Sequence, residues 1–284
     1  MKVGITGATG QLGQKVIEKL KGEVPAENIV ALVRTPSKAS DLGIEARAFD
    51  FNEPENMLSA LEGIDRLLLI SGNEIGKRAE QHNNVISAAK QAGIGYIVYT
   101  SLLRTDNTSI SLAGEHLETE KMIKASGISY TLLRNGWYTE NYTASIADVL
   151  KTGALYGSSG NGLISSATRT DFAEAAVKVL TTDGHANKTY ELAGDEAYTL
   201  SDFAAELSKQ TGKEIPYVNL PVQDYEKALL EAGLPEPFAQ FLAGSHVSTE
   251  KGDLFDNGQQ LSHLTGRPTT SLKDAIAEAL TVIN

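Results

Sequence analysis

The chain has 284 residues, 41% of them hydrophobic and 21% charged, a composition that buries a core without a disulfide or metal staple. It contains no cysteine, which excludes disulfides, thiolate nucleophiles and cysteine-ligated metals and fits a reducing compartment. A formal net charge of −11 without a dense Lys/Arg cluster argues against nucleic acid and anionic membranes as partners.

The start, Met1-Lys2-Val3-Gly4-Ile5, enters an apolar strand directly and lacks the pattern of a secretory signal, so a cytoplasmic location is expected. No apolar run approaches the ~20 residues of a membrane span. Strands are predicted at Val3 to Thr6, Ile29 to Val33, Ala46 to Phe51, Leu67 to Ile70, Tyr96 to Tyr99 and Tyr130 to Leu133. Between the first two, Leu12, Val16, Ile17 and Leu20 recur at helical spacing. Another helix carries Val85, Ile86, Ala88, Ala89 and Ala92 and ends at Gly93. Near-continuous apolar strands separated by amphipathic helices predict a doubly wound, Rossmann-like α/β fold with a parallel sheet covered on both faces.

After about Trp137 the pattern changes. Glycines punctuate residues 153 to 162, and a helix (Phe172 to Leu180), a strand (Tyr190 to Ala193) and a helix (Leu200 to Thr211) follow. Pro216, Pro221, Pro235, Pro237 and Pro268 then break up the remainder. The expected organisation is a main domain over residues 1–150 and a smaller α/β lobe over 151–284, with some segments of the lobe returning to the main sheet.

The strongest motif is Thr6-Gly7-Ala8-Thr9-Gly10-Gln11-Leu12-Gly13, a Gly-x-x-Gly-x-x-Gly run between strand and helix. One glycine permits the turn, one lets backbone N–H groups approach a pyrophosphate, and one brings the helix close to the sheet. The helix N-terminus adds donors and a positive dipole end. A glycine-rich turn with no ligand is the alternative, which the flanking strand and helix argue against. Arg34 ends the second strand, where NAD enzymes place a carboxylate against the ribose 2′-hydroxyl. A guanidinium there pairs instead with a 2′-phosphate, with Lys38 adding charge, so NADP is the expected cofactor and NADPH is preferred over NADH. The alternative is a solvated strand-end arginine.

The opening motif, Val33-Arg34, and the run Tyr130-Thr131-Leu132-Leu133-Arg134-Asn135-Gly136-Trp137-Tyr138 resemble the NmrA-like group of atypical short-chain dehydrogenases/reductases. Within that group the likeness runs to bacterial quinone reductases over nearly the whole chain, and more loosely to a triphenylmethane-dye reductase. The resemblance implies that Ile70, Ser71 and Gly72 pack against the adenosine, that Asn135, Gly136, Trp137 and Tyr138 face the nicotinamide, and that Arg169 lies on the cofactor side. Tyr138, Trp137, Asn141 and Tyr142 become candidates for positioning the acceptor. Ordinary aromatic packing is the competing account of the three aromatic residues.

Most short-chain dehydrogenases carry a Tyr-x-x-x-Lys pair as proton donor. Here His116 stands near the tyrosine position, Glu120 where lysine would be, and Lys121 lies one residue out of step, about 100° around a helix. Ser101 remains near the usual catalytic serine. A ketone needs an acid as its alkoxide forms. A quinone yields a resonance-stabilised phenolate, so proximity and orientation suffice. The expected function is therefore an NADPH-dependent reductase transferring hydride to a quinone. A conjugated dye or enone acceptor, or a non-catalytic NADP(H) redox sensor, are the other readings. His82, His185, His246 and His263 lack metal-ligand spacing, so no metal is expected. The stretch from Gly153 to Arg169 reads equally as a wall or lid of the acceptor pocket and as ordinary turns. A homodimer is the expected assembly, two-fold symmetry being the commonest.

Overall fold

A strand that is apolar at every position has to be covered on both faces. Val3–Thr6 (β1) and Ile29–Val33 (β2) are buried at each residue in the computed structural model, which describes Met1–Ile283. The chain divides into two compact units. The first comprises Met1–Asp106, Leu112–Asn135 and Arg169–Leu192; the second comprises Asn107–Ser111, Gly136–Thr168 and Ala193–Asn284, with Asn284 itself outside the described residues.

The first unit holds a seven-stranded parallel sheet in the order β3-β2-β1-β4-β5-β6-β8. Its other strands are Glu45–Ala48 (β3), Arg66–Leu69 (β4), Tyr96–Leu102 (β5), Ser129–Asn135 (β6) and Lys188–Leu192 (β8). Helices Gln11–Leu20 (α1), Pro54–Ala60 (α2), Arg78–Gln91 (α3), Ala113–Ser126 (α4) and Arg169–Thr181 (α7) cover it. The order reverses between β1 and β4, the switch point at which open α/β sheets form their ligand crevice. The doubly wound fold expected from the sequence is the fold observed. On one face, Leu67, Leu69, Val85, Ile97, Tyr99 and Leu132 share one core. The edge strand β3 is short and charged: Lys2 Nζ and Arg47 Nε both donate to Glu45, each at 2.7 Å, which blunts an unpaired edge.

The second unit pairs two short parallel strands, Leu155–Gly157 (β7) and Tyr217–Asn219 (β9). Its helices are Glu140–Thr143 (α5), Ile146–Thr152 (α6), Leu200–Thr211 (α8), Val222–Glu231 (α9), Glu236–Glu250 (α10), Gln260–Thr265 (α11) and Leu272–Ile283 (α12). Its core gathers Ile146, Leu155, Ile164, Tyr198, Phe203 and Ile276. α8 opens with a capping box in which Thr199 Oγ1 accepts from Asp202 N at 3.1 Å and Asp202 Oδ2 accepts from Thr199 N at 2.8 Å. Gly157 and Gly162 stand in close contact with α10: an added Cβ would come 2.9 Å from His246 Cε1 and 2.4 Å from Thr249 O respectively. Packing therefore accounts for these two glycines.

Of the five prolines expected to break up the C-terminal part, Pro216 and Pro268 lie between elements, whereas the other three mark helix starts. Pro221 and Pro235 occupy the N-caps of α9 and α10, and Pro237 lies in the first turn of α10, where a missing N–H costs no helical bond. The third strand is shorter than its apolar run, ending at Ala48, while β5 and β6 continue through Leu102 and Asn135. Among the described residues no helix is long and apolar enough to cross a membrane.

Three histidines are buried neutral. Desolvation holds His82 and His116 down to about 3 and His246 to about 4. In the unfolded chain they titrate near ~6.5, so below that pH the unfolded state binds more protons and is favoured. Stability is expected to be full above pH ~6.5 and to fall as the pH drops towards 4, as urea unfolding at stepped pH would show.

Candidate functional site

A cavity of about 310 Å³ opens in the first unit at the carboxyl ends of β1 to β4. Its floor is the turn from β1 to α1. Gly7 adopts φ +59°, a left-handed conformation that a side chain disfavours. Gly10 N donates to Gly7 O at 2.9 Å and closes the turn. Gly13 lies so close beneath that an added Cβ would fall 2.3 Å from Gly7 O. Leu12, Val16, Ile17 and Leu20 are buried on the face α1 turns to the sheet, so the helix presents its N-terminus at the strand end. The N–H groups of a helix's first turn have no intrahelical partners and suit an anion.

Of the residues expected at the cofactor, Gly7, Thr9, Gly10, Arg34, Ile70, Ser71 and Gly72 line this cavity together. Ala8 and Leu12 are buried in the core and shape the turn from behind. Gln11 and Lys38 are exposed and outside the lining. Thr6 is fully buried, and its Oγ1 accepts from Ile70 N at 2.9 Å, tying β1 to the end of β4. Asn135 ends β6, and its buried Oδ1 has no hydrogen-bond partner among the described residues. Arg169 opens α7. Gly136, Trp137, Tyr138, Asn141 and Tyr142 belong to the second unit. There Trp137 stacks on Phe241 at 6.2 Å, Tyr138 bridges to Ala167, and Tyr142 packs against Tyr198 and Phe203. Desolvation pushes the Tyr142 hydroxyl well up, so it stays protonated.

Sequence reasoning missed Phe49, Asp50, Phe51 and Asn52 after β3, Asn73 and Glu74 after β4, and Gln81 on α3. The usable signal was topological: in a parallel sheet, every loop leaving a carboxyl strand end near the switch point is a candidate. Arg34 is two-thirds exposed, and its nearest counter-charge is Glu74 at 4.0 Å. Such a loose exposed pair contributes ~0–1 kcal/mol and leaves the guanidinium able to take a phosphate. Left-handed Gly7, the side-chain-free approach at Gly10 and a cationic far wall at Arg34 fit a phosphorylated dinucleotide.

The inner face of α4 is where the missing proton donor would stand, and its polar side chains are committed elsewhere. Tyr99 Oη and His116 Nδ1 are 2.7 Å apart in the core. Glu120 is fully buried; Arg134 Nε and Nη2 grip its two oxygens at 2.9 and 2.8 Å, and Ser101 Oγ donates to it at 2.6 Å. Arg134 Nη1 also reaches Glu191 at 2.8 Å and Asp106 at 3.1 Å. Lys121 is exposed. So Ser101 is committed to Glu120, Glu120 to Arg134 and His116 to Tyr99, and His116 is held neutral by burial.

The sequence profile of a family described as NAD(P)H-binding matches residues 7–183 of this chain. The chain belongs to that family. Among family relatives, Quinone oxidoreductase 2 of Escherichia coli K12 is 52% identical over 99% of this chain and all of its own. The NADPH complex of that NADPH-dependent quinone oxidoreductase superposes with a TM-score of 0.95, also covering 99% of this chain and 100% of the other. Citrobacter sp. triphenylmethane reductase, solved with NADP(H), is 38% identical with a TM-score of 0.94, covering 98% of this chain and all of its own. An NmrA-like family domain-containing oxidoreductase of Aspergillus flavus is 27% identical over 99% of this chain and 95% of its own. The NmrA-like resemblance seen in the sequence therefore stands.

The Arg134 network yields a stability prediction. Glu120→Gln removes the buried counter-charge and is expected to cost about 3 kcal/mol by urea unfolding. A loss under about 1 kcal/mol would show that Glu191 and Asp106 suffice for Arg134.

Proposed function

We infer that this chain is an NADPH-dependent quinone reductase. The observation that carries the reading is the whole-chain likeness to the E. coli NADPH-dependent quinone oxidoreductase, at 52% identity. The geometry supplies the physical reason. Gly7, Thr9, Gly10 and the first turn of α1 would hold the pyrophosphate, Arg34 the 2′-phosphate, and Ile70, Ser71 and Gly72 the adenosine wall, with Asn135 and Gly136 assigned to the nicotinamide side. Bound NADPH supplies the hydride.

The residues that follow β6 are proposed to position the acceptor. Trp137, already half of a ring stack, offers a flat apolar face, and the protonated Tyr142 hydroxyl offers a donor. Tyr138 and Asn141 complete the proposed wall. No acid on α4 is at hand, since His116 and Glu120 are tied into the core. An acceptor whose reduced form is resonance-stabilised needs none, because water can protonate the phenolate. This disfavours reduction of simple ketones by the Tyr-x-x-x-Lys route and favours quinones. The likeness to triphenylmethane reductase favours a cationic dye as a second acceptor class.

The first unit is proposed as the NADP-binding part and the second as the acceptor part, in a cytoplasmic homodimer. The lack of cysteine supports a reducing compartment.

NADPH oxidation assayed across quinones, dyes and aldehydes tests the activity; turnover with aldehydes but not quinones would overturn it. Arg34→Asp is expected to weaken NADPH by ~1–3 kcal/mol while leaving NADH nearly unchanged, read by calorimetric titration. Lys121→Ala should keep full quinone turnover, whereas Tyr138→Ala should raise the quinone KM about tenfold, or ~1.4 kcal/mol.

A further inference from the structure

The loop leaving β4 forms one wall of the cavity, and its backbone is fixed from below by buried side chains. Three consecutive N–H groups each donate to a different one: Ile70 N to Thr6 Oγ1 at 2.9 Å, Ser71 N to Thr100 Oγ1 at 2.9 Å and Gly72 N to His82 Nε2 at 3.0 Å. The Gly72 carbonyl accepts from Arg78 Nε at 2.9 Å. Arg78 Nη1 donates to Glu115 Oε2 at 2.8 Å, and Glu115 Oε1 accepts from Gly76 N, four residues along the same loop, at 2.8 Å. His82 is fully buried and Arg78 is 4% exposed.

The proton positions follow from the geometry. Thr119 Oγ1 gives its single hydrogen to Glu115 O at 2.9 Å. His82 Nδ1, 3.0 Å from the same oxygen, must then be the donor, which leaves Nε2 as an acceptor for Gly72 N–H. Only the neutral Nδ1–H tautomer serves. Burial, which holds His82 to about 3, keeps that form populated.

We propose that His82, Arg78 and Glu115 form a clamp on the Gly72 peptide that presets the adenosine wall, making them positioning residues for dinucleotide affinity. A buried arginine and a buried histidine on the first turns of α3 are otherwise costly choices for a core. Both are spent on one residue that lines the cavity, His82 on its N–H and Arg78 on its carbonyl, and Glu115 extends the grip from α4. The edge of the His82 ring also meets Phe51, another wall residue, at 6.0 Å. An added Cβ at Gly72 would come 3.2 Å from Gln81 Oε1, so a side chain here would press on Gln81. A wall fixed before binding spares the ordering cost on association.

The proposal rests on the reading of the cavity as the NADPH site. Its test uses adenosine 2′,5′-bisphosphate, which carries the adenosine and 2′-phosphate without the nicotinamide, and the folded full chain. His82→Leu keeps bulk but removes the acceptor; His82→Gln places an amide oxygen near the old Nε2. Affinity is expected to fall about tenfold in His82→Leu, or ~1.4 kcal/mol, and to stay within about threefold of the unmodified protein in His82→Gln. Hydrogen exchange should show the Gly72 amide protected in the unmodified protein and in His82→Gln, and unprotected in His82→Leu.

Unchanged affinity in a folded His82→Leu, or equal loss in both variants, would overturn the clamp. Should His82→Leu not fold, Arg78→Lys replaces it. That variant keeps the charge but cannot serve Gly72 O and Glu115 together, and is expected to lose about fivefold, or ~1 kcal/mol; wild-type affinity there would overturn the clamp. Failure of the unmodified protein to bind either NADPH or the bisphosphate would overturn the cavity's assignment and the clamp with it.

Discussion

The contact that the rest of the structure depends on is the approach of α1 to the turn that precedes it. Gly13 sits where a single methyl group would penetrate Gly7 O. That closeness lets the buried stripe of α1 reach the sheet while its N-terminus stays level with the strand ends. Electrostatics then follows from packing: the first-turn donors and the helix dipole point at the cavity because the helix can stand nowhere else. Thr6 carries the constraint one strand further by holding Ile70 N across the switch point. The phosphate turn and the β4 wall are thus parts of one hydrogen-bonded frame.

A second constraint is the use made of α4. In a reductase that protonates an alkoxide, the inner face of this helix must keep a phenol and an ammonium available. Here Glu115, His116, Thr119 and Glu120, which lie on that face, each hold a neighbouring element: the β4 loop, Tyr99 on β5, His82 on α3, and Arg134 on β6. The helix serves here as a bracket. This fits an acceptor that can be reduced without a protein acid, since the polar groups on this face are held by neighbouring elements.

What the sequence made legible was local. The glycine turn and Arg34 could be read because spacing along the chain sets their geometry, and the alternation of strands and helices followed from apolar periodicity, whereas the strand order did not. Phe51, Glu74 and Gln81 could not be read, because only the convergence of strand ends brings them to one cavity. Arg134 stood out in a distinctive run, yet its role lies in Glu120, on a different element. The C-terminal helices were obscured for another reason. Pro221 and Pro235 read as breakers from composition, whereas at an N-cap they mark where a helix begins.

The pair between Glu120 and Arg134 also bears on how this chain can evolve. A lysine at position 120, as alcohol chemistry of the Tyr-x-x-x-Lys type requires, would set an ammonium against the Arg134 guanidinium with solvent excluded. Tyrosine at position 116 would likewise have to displace the packed Tyr99 contact. Each change is expected to cost the fold stability until its partner has also changed. Epistasis of this kind works as a ratchet. A Tyr-x-x-x-Lys pair on α4 therefore lies behind a stability barrier in this chain.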